Sequence, residues 1–259
     1  MISVEQSLHR SEPRPCGAGS RKLAGQSAVV TGASSGIGRA IAEELAAQGA
    51  SLCLLGRRPQ ALENVAPGLC EGARRMIYQL DLASGEQIEN FGVDFVRHGG
   101  RADILVHSAG VIAIGAIEKA SIDDFDWQLN VNVRAPCLLT KALLPLLKAC
   151  RGQIVFINSN AGLCAVPGSG QYSATKHALT GLADSLRAEV NGQLRVMSVY
   201  TGSTATPMQA ALHLSKRRCY VPEALIQPED VASLVVHALT LPRTVEVTAL
   251  HLRPGAPPS

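Results

Sequence analysis

Four polar residues in the second half of the chain have the types and spacing of a proton-transfer site. Tyr172 and Lys176 are four residues apart, so both side chains lie on one face if this segment is helical. Ser159 precedes the tyrosine by thirteen residues, and Asn132 lies further upstream. A lysine ammonium beside the phenol is expected to lower the pKa of Tyr172 towards neutral pH, where acid–base catalysis is effective. The set therefore predicts a site that moves a proton at a reacting oxygen.

A glycine-rich loop near the start of the chain predicts a site for a phosphate-bearing cofactor. It joins an apolar strand at 27–31 to a helix expected at about 37–48. Glycine permits a tight turn and close approach to a diphosphate, and a helix N-terminus presents N–H groups and a positive dipole end. Alone, the loop could be an ordinary turn, but its place between strand and helix favours the cofactor. We expect contacts from Gly32, Ser34, Ser35, Gly36, Ile37 and Gly38.

Two arginines after the second predicted strand, at 52–55, indicate which dinucleotide is bound. NAD-binding folds commonly place an acidic residue here for the ribose 2′-hydroxyl, whereas a basic residue accommodates the 2′-phosphate of NADP. The chain has Arg57 and Arg58 and no acid at this point. Because guanidinium pairs well with phosphate, we predict NADP(H) in preference to NAD(H). The alternative is that both arginines are simply exposed loop residues.

Strand-like and helix-like segments alternate along residues 26–254, which predicts an α/β fold. We expect a single-domain Rossmann fold, with a doubly wound parallel sheet of about seven strands and helices on both faces. The segment at 122–150 should be a long helix that Pro136 kinks or breaks. Residues 1–25 are predicted to be a flexible arm and 255–259 a tail. Further strands are expected at 76–80, 103–107, 154–158, 194–199 and 245–250, and a further helix at 172–190.

Composition narrows the class of protein. Hydrophobic residues make up 46% and charged residues 17% of the 259 residues, which supplies a large core and argues against disorder. The net charge of +3 is too mild to suggest a nucleic-acid surface. There is no apolar run of about 18 residues, so we expect no membrane partner. Seven cysteines with no CxxC pair or metal-ligand spacing favour a reduced, cytoplasmic protein without a metal.

Together these motifs resemble the short-chain dehydrogenase/reductase family over roughly residues 25–250. The resemblance implies a catalytic tetrad of Asn132, Ser159, Tyr172 and Lys176. In it, Ser159 holds the substrate oxygen, Asn132 supports a water-linked proton path, and Lys176 also binds the nicotinamide ribose. The resemblance implies further cofactor contacts from Asp81, Leu82, Ala109, Gly110, Tyr172, Lys176, Gly202, Thr204 and Thr206.

The chain departs from the family pattern at two places. His107 and Ser108 replace two asparagines before Ala109-Gly110, and we expect His107 to be a hydrogen-bonded structural residue. Thr201 stands before Gly202 where the family has proline. The hydroxyls that follow can still serve the nicotinamide carboxamide, and Thr206 fits the family position best.

The resemblance implies an NADP(H)-dependent oxidoreductase that interconverts a small carbonyl compound and its secondary alcohol, with Tyr172 as general acid/base. One alternative is a nonenzymatic NADP(H)-binding sensor or scaffold on the same fold, and another is a different reaction such as epimerisation or dehydration. The family also implies a homodimer or homotetramer, formed through the long helices after the fourth and fifth strands.

Substrate specificity should come from loops at the carboxyl ends of the strands. The candidate loops are 111–120, 163–171 and 208–225. The three consecutive cations at 216–218 could attract an anionic substrate or could simply be solvated. We expect an apolar pocket with contributions from Leu163, Val166, Met208 and Leu212.

Overall fold

The computed structural model describes residues 21–255, and a seven-stranded sheet forms their centre. All strand pairs are parallel, and the spatial order is β3-β2-β1-β4-β5-β6-β7. The order reverses direction between β1 and β4, where such folds have their ligand crevice. The predicted doubly wound Rossmann sheet is therefore confirmed. The strands are β1 (Ser27–Thr31), β2 (Ser51–Gly56), β3 (Arg75–Gln79), β4 (Ile104–His107), β5 (Gln153–Ser159), β6 (Arg195–Thr201) and β7 (Ala249–Leu252).

Helices cover both faces of the sheet because alternate strand side chains point to opposite faces and both sets are apolar. On β1, Val30 packs in a cluster with α1 and α8, whereas Val29 packs in a second cluster with α3, α5 and α6. The helices are α1 (Gly36–Ala47), α2 (Pro59–Glu63), α3 (Gly85–Arg97), α4 (Ile122–Leu129), α5 (Ala135–Ala149), α6 (Gly170–Glu189), α7 (Pro207–Ser215) and α8 (Pro228–Leu239).

The predicted long helix at 122–150 changes its winding in the middle. A π-helical turn, Asn130–Arg134, connects α4 to α5. Pro136 lies in the first turn of α5 and has no N–H to donate to the carbonyl of Asn132, four residues earlier. The wider π-helical turn accommodates the missing donor at this point of the chain. Such turns are frequent at functional sites. The expected break at Pro136 is thus a change of winding within one continuous stretch.

The last strand begins later than predicted. It was expected at 245–250, but β7 starts at Ala249 and pairs with β6. The guanidinium of Arg195 donates a hydrogen bond of 2.8 Å to the carbonyl oxygen of Val245, which holds the preceding segment in a loop. Local sequence patterns do not predict this contact, because Arg195 and Val245 are fifty residues apart in the chain.

The ends of the chain differ from expectation in one described part. Leu23 was assigned to the flexible arm, but it is 1% exposed and its backbone N–H donates to the carbonyl of Gln48 at 3.0 Å. The core therefore begins before residue 26. The rest of the predicted arm, 1–20, and most of the predicted tail, 256–259, lie outside the described residues. Between 21 and 255, no helix has both the length and the apolar character needed to cross a membrane.

Candidate active site

A cavity of about 500 Å³ opens where the carboxyl ends of β1 and β4 diverge. Its walls come from the segments that follow β1 to β6 and from α4, α6 and α7. The lining includes every predicted catalytic and cofactor-binding residue except Asn132. The cavity therefore brings the phosphate-binding motif and the proton-transfer residues, far apart in the chain, into one space.

The glycine loop packs tightly against the segment that follows β4. The hydroxyl of Thr31 accepts hydrogen bonds from the backbone N–H groups of Ser108 and Ala109, both at 3.1 Å. A Cβ on Gly32 would lie 2.8 Å from the Ala109 Cα, and its φ of +66° favours glycine. A Cβ on Gly38 would lie 2.5 Å from the Gly32 carbonyl oxygen. These contacts explain why glycine stands at both positions.

The N-terminus of α1 faces the cavity without a side-chain cap from its N-cap residue, Ser35. Ser34, Gly36 and Ile37 line the cavity beside it. Because the first turn of a helix has backbone N–H groups without helical acceptors, this end offers donors and a partial positive charge to an anion. The arrangement fits a dinucleotide diphosphate.

Two cations stand at the far end of the cavity. Arg57 and Arg58 line it after β2, both are exposed, and neither forms an ion pair with a carboxylate within residues 21–255. Asp81 and Leu82 line the same end after β3. The carboxylate of Asp81 accepts from the Ala83 N–H at 3.0 Å, which fixes this turn. The guanidinium groups are thus available to a phosphate.

The end of β5 and the first turns of α6 hold the proton-transfer residues together. Ser159 ends β5, and its hydroxyl is hydrogen-bonded to the half-buried phenol of Tyr172. Lys176 is 5% exposed, and its Nζ lies 5.8 Å from the centre of the Tyr172 ring. Within residues 21–255, the hydrogen-bond acceptor of this ammonium is the Ile157 carbonyl, at 3.3 Å. All three side chains line the cavity.

Burial has the largest effect on the pKa values of Tyr172 and Lys176. It raises the pKa of Tyr172 above its ordinary value, and the hydrogen bond with Ser159 acts in the opposite direction without cancelling it. Burial also lowers the pKa of Lys176 to about 8. The expectation that Lys176 lowers the pKa of the phenol is therefore wrong for the protein's own groups, because burial has the largest effect and the group that opposes it is Ser159, not Lys176. Tyr172 is held protonated, as a proton donor must be.

Asn132 has a different position from the other predicted residues. It is 1% exposed, and its side-chain oxygen accepts from the Val111 N–H at 2.8 Å. Its amide nitrogen donates to the Val111 carbonyl at 2.9 Å and to the Thr175 hydroxyl at 3.0 Å. The side chain thus clamps the segment after β4 to α6. It does not line the cavity, in contrast to what we expected of a catalytic residue.

His107 is confirmed as a structural residue. Its Nε2 is 2.9 Å from the Thr140 hydroxyl, and its ring stacks on Phe156 with centroids 4.8 Å apart. Burial lowers the pKa of His107 to about 3, so the imidazole is neutral near neutral pH. The histidine joins β4 to α5 and β5 rather than to a ligand.

The segment after β6 lies between the glycine loop and β7. Gly202 donates its N–H to the Leu252 carbonyl at 2.9 Å, and the Thr204 hydroxyl donates to the Gly202 carbonyl at 3.1 Å. The Thr206 hydroxyl accepts from the Gln209 N–H at 3.3 Å and so caps α7. Gly202, Thr204 and Thr206 all line the cavity.

The predicted apolar pocket is correct in part. Met208 and Leu212 line the cavity, and they do so from α7, where a loop was expected. Leu163 and Val166 do not line it and are 46% and 59% exposed. The sequence analysis missed Trp127, which lines the cavity from α4. Its signal was the single tryptophan of the sequence, five residues before Asn132.

The comparison with known sequences decides the family. A sequence profile described as short chain dehydrogenase matches residues 26–217. The chain belongs to the short-chain dehydrogenase family. An uncharacterized oxidoreductase of Staphylococcus epidermidis is 34% identical over 229 residues, which are 88% of this chain and 96% of that protein.

Solved structures agree with the fold. An alcohol dehydrogenase from the archaeon Thermococcus sibiricus, complexed with 5-hydroxy-NADP, superposes with a TM-score of 0.81 at 29% identity, covering 90% of this chain and 98% of that one. A metagenomic short-chain oxidoreductase in complex with NADP gives a TM-score of 0.77 at 32% identity, with coverage of 90% and 99%. The chain is accordingly an oxidoreductase acting on CH–OH groups with a nicotinamide dinucleotide. The prediction of an enzyme is confirmed, and the nonenzymatic sensor loses its support.

The buried ammonium of Lys176 generates a prediction about stability. A fall in its pKa from the ordinary 10.5 to about 8 corresponds to roughly 3 kcal/mol of free energy. Lys176→Met should therefore raise the free energy of unfolding of the cofactor-free protein by up to about 3 kcal/mol at neutral pH. Above a pH of about 8 the folded wild type loses this proton before the unfolded chain does. The advantage of the variant should then shrink as the pH rises towards 10.5. Urea unfolding at neutral and alkaline pH measures both effects.

Lys141→Met is the matched control, because Lys141 is exposed on α5. It should change the free energy of unfolding by less than about 0.5 kcal/mol at either pH. A Lys176→Met protein that is less stable than wild type at neutral pH would show that burial of the ammonium is not the dominant cost.

Proposed function

We propose that this chain is an NADP(H)-dependent oxidoreductase that interconverts a carbonyl compound and its secondary alcohol, with Tyr172 as general acid/base. The observation that carries the proposal is the common cavity. Ser159, Tyr172 and Lys176 share its walls with the α1 N-terminus and with Arg57. A site for phosphate and a site for proton transfer are thus within reach of one dinucleotide.

The chain's own groups fit the parts of the cofactor. The N-terminus of α1 would take the diphosphate, with Gly32 and Gly38 keeping the backbone close. Asp81 and Leu82 would border the adenine, and Ala109 and Gly110 would border the chain of the dinucleotide beside β4. The segment from Gly202 through Thr204 to Thr206 would border the nicotinamide. When bound, the cofactor supplies or accepts the hydride.

Tyr172 is the residue proposed to exchange a proton with the substrate oxygen. Because burial keeps its phenol protonated, Tyr172 would donate a proton to the substrate oxygen in reduction and accept it back in oxidation. The hydroxyl of Ser159, hydrogen-bonded to the phenol, would hold the same oxygen and stabilise its developing charge. Lys176 would bind the nicotinamide ribose and favour the phenolate when the proton leaves. Asn132 would support the proton path by holding the segment beside this group in place.

NADP(H) is the preferred cofactor in this proposal. Arg57 and Arg58 are the cations at the end of β2, and they have no carboxylate partner within residues 21–255. A 2′-phosphate at this place would gain charge-assisted hydrogen bonds that a 2′-hydroxyl would not. The NADP complexes among the similar structures support the choice.

The chain is also proposed to form a homodimer or homotetramer through α5 and α6, the long helices after β4 and β5, as the family resemblance implies. Light scattering of the purified protein should give a mass of two or four chains, and a monomeric mass would reject the assembly. A cytoplasmic location and a small-molecule substrate remain predictions of the same resemblance.

The proton role has a direct test in the Tyr172→Phe variant. Turnover of NADPH with a panel of ketones, aldehydes and keto esters should fall by about 100- to 10,000-fold, because the acid is lost while the aromatic ring is kept. NADPH binding, measured by calorimetry, should stay within about threefold of wild type. Substantial remaining turnover would remove Tyr172 from the acid role. Reaction without net cofactor consumption would favour epimerisation or dehydration instead.

The cofactor preference is tested by Arg57→Asp. Loss of a charge-assisted hydrogen bond to phosphate should lower kcat/KM for NADPH by roughly 10- to 100-fold and change that for NADH far less. Arg74→Asp is the matched control, because Arg74 is exposed and lies outside the cavity. If NADPH still outcompetes NADH to the wild-type extent in Arg57→Asp, this arginine does not read the 2′-phosphate.

A further inference from the structure

In the part of the chain that the structure describes, Lys176 is the charged side chain that lines the cavity beside Tyr172, and several apolar side chains form a wall of the same cavity. The charged residues that line the rest of the cavity follow β2 and β3. Adjacent strands are roughly 4.8 Å apart, so β2 lies about 14 Å from β5 across β1 and β4. Among residues 21–255, the side chains that line this end offer a substrate carboxylate or phosphate no cation other than the lysine that the mechanism uses. The apolar wall consists of Val111, Ile112, Trp127, Val131, Met208 and Leu212.

Trp127 is the largest member of this wall. It is 37% exposed, and it lines the cavity from α4. Tryptophan carries a large flat apolar surface, so a partly exposed indole in a cavity wall offers a face on which another ring can pack. The other five members of the wall are aliphatic or carry a thioether and have no such face.

The turn that carries Trp127 is fixed in place. The next residue, Gln128, is fully buried, and its side-chain oxygen accepts from the Ala113 N–H at 3.0 Å. One turn further, Asn132 holds both the N–H and the carbonyl of Val111 and reaches Thr175 on α6. Two buried amides thus tie α4, the segment after β4 and α6 into one unit. The indole therefore has a defined position relative to Tyr172 on α6.

We infer that Trp127 determines substrate specificity, and that the substrate has its carbonyl next to an uncharged aromatic ring that packs on the Trp127 indole. This inference rests on the proposed function, since it names the substrate class of the same site. Val111 and Ile112, fixed by the buried amides, form the wall beside the indole, and Met208 and Leu212 approach from α7. The reacting oxygen is left to Ser159 and Tyr172.

The first test compares ketones that differ in one property each. Methyl phenyl ketone and methyl cyclohexyl ketone are similar in size but only the first is flat, and acetone lacks the ring. Wild type should favour the phenyl over the cyclohexyl compound in kcat/KM by about threefold or more, as expected for ring stacking. A methyl phenyl ketone with a para carboxylate should react about tenfold or more slowly, in kcat/KM, than its methyl ester, because the charge would lose its water without gaining a partner.

The variant Trp127→Leu separates specificity from structure. Its kcat/KM for methyl phenyl ketone should fall about tenfold, mainly through KM, while that for acetone should change less than about threefold. Trp127→Phe should recover most of the loss because it restores a ring. Leu214→Ala is the control. Leu214 lies on α7, as Leu212 does, but it is 81% exposed and does not line the cavity, so both substrates should react as with wild type. An equal loss for all ketones in Trp127→Leu would overturn the inference.

A binding measurement distinguishes failure of this inference from failure of the proposed function. Trp127 is the only tryptophan of the chain, so emission excited at the red edge of indole absorption reports on this residue alone. In the Tyr172→Phe variant saturated with NADP⁺, methyl phenyl ketone should change this emission and acetone should not. If wild type reduces none of the ketones but the emission responds, the function fails and the aromatic site stands. If ketones are reduced with no response and no preference for the flat ring, the function stands and the inference fails.

Discussion

The geometry of the active site depends on the buried side chain of Asn158. Its oxygen accepts from the Ser159 N–H at 2.8 Å, and its nitrogen donates to the carbonyl of Lys176 at 3.2 Å and to the Thr180 hydroxyl at 3.0 Å. One amide therefore joins the end of β5 to the second turn of α6. Gly162 allows this approach, since a Cβ there would lie 2.7 Å from the Lys176 carbonyl oxygen. This contact fixes the backbone of the serine relative to that of the lysine.

The cofactor end depends on a comparable contact across the point where the strand order reverses. The Thr31 hydroxyl holds the backbone after β4 against the glycine loop after β1. The loop cannot separate from its neighbour without losing both hydrogen bonds, and it cannot carry side chains at Gly32 or Gly38. The uncapped end of α1 is thereby held open towards the cavity. A small hydroxyl and two glycines thus leave the backbone N–H groups of the helix N-terminus directed to the cavity without a charged side chain.

Asp103 and Lys176 are buried charged residues at opposite ends of the parallel strands, and they differ in how well their charges are partnered. Asp103, before β4, is buried, which by itself raises its pKa; hydrogen bonds from Arg101 and the Ser27 N–H outweigh this, and the net pKa is lowered. Lys176, at the carboxyl end, has one carbonyl acceptor within residues 21–255, and its pKa falls. A carboxylate whose pKa is lowered on folding contributes stability at neutral pH, whereas an ammonium whose pKa is lowered costs stability there. Such a perturbed group is typical of functional sites.

The sequence by itself determined the strand and helix alternation, the glycine loop, Arg57 and the spacing of Tyr172 and Lys176, because each is a local pattern in the chain. Tertiary structure decided the rest. The pKa of Tyr172 is raised rather than lowered because burial depends on what packs around the phenol. Asn132 turns its amide to Val111, and Trp127 rather than Leu163 reaches the cavity, because those positions follow from contacts between distant segments. Local sequence patterns predict which side chains form the site. Packing between distant segments determines how far each side chain is exposed to water, how it is oriented and which residues it contacts.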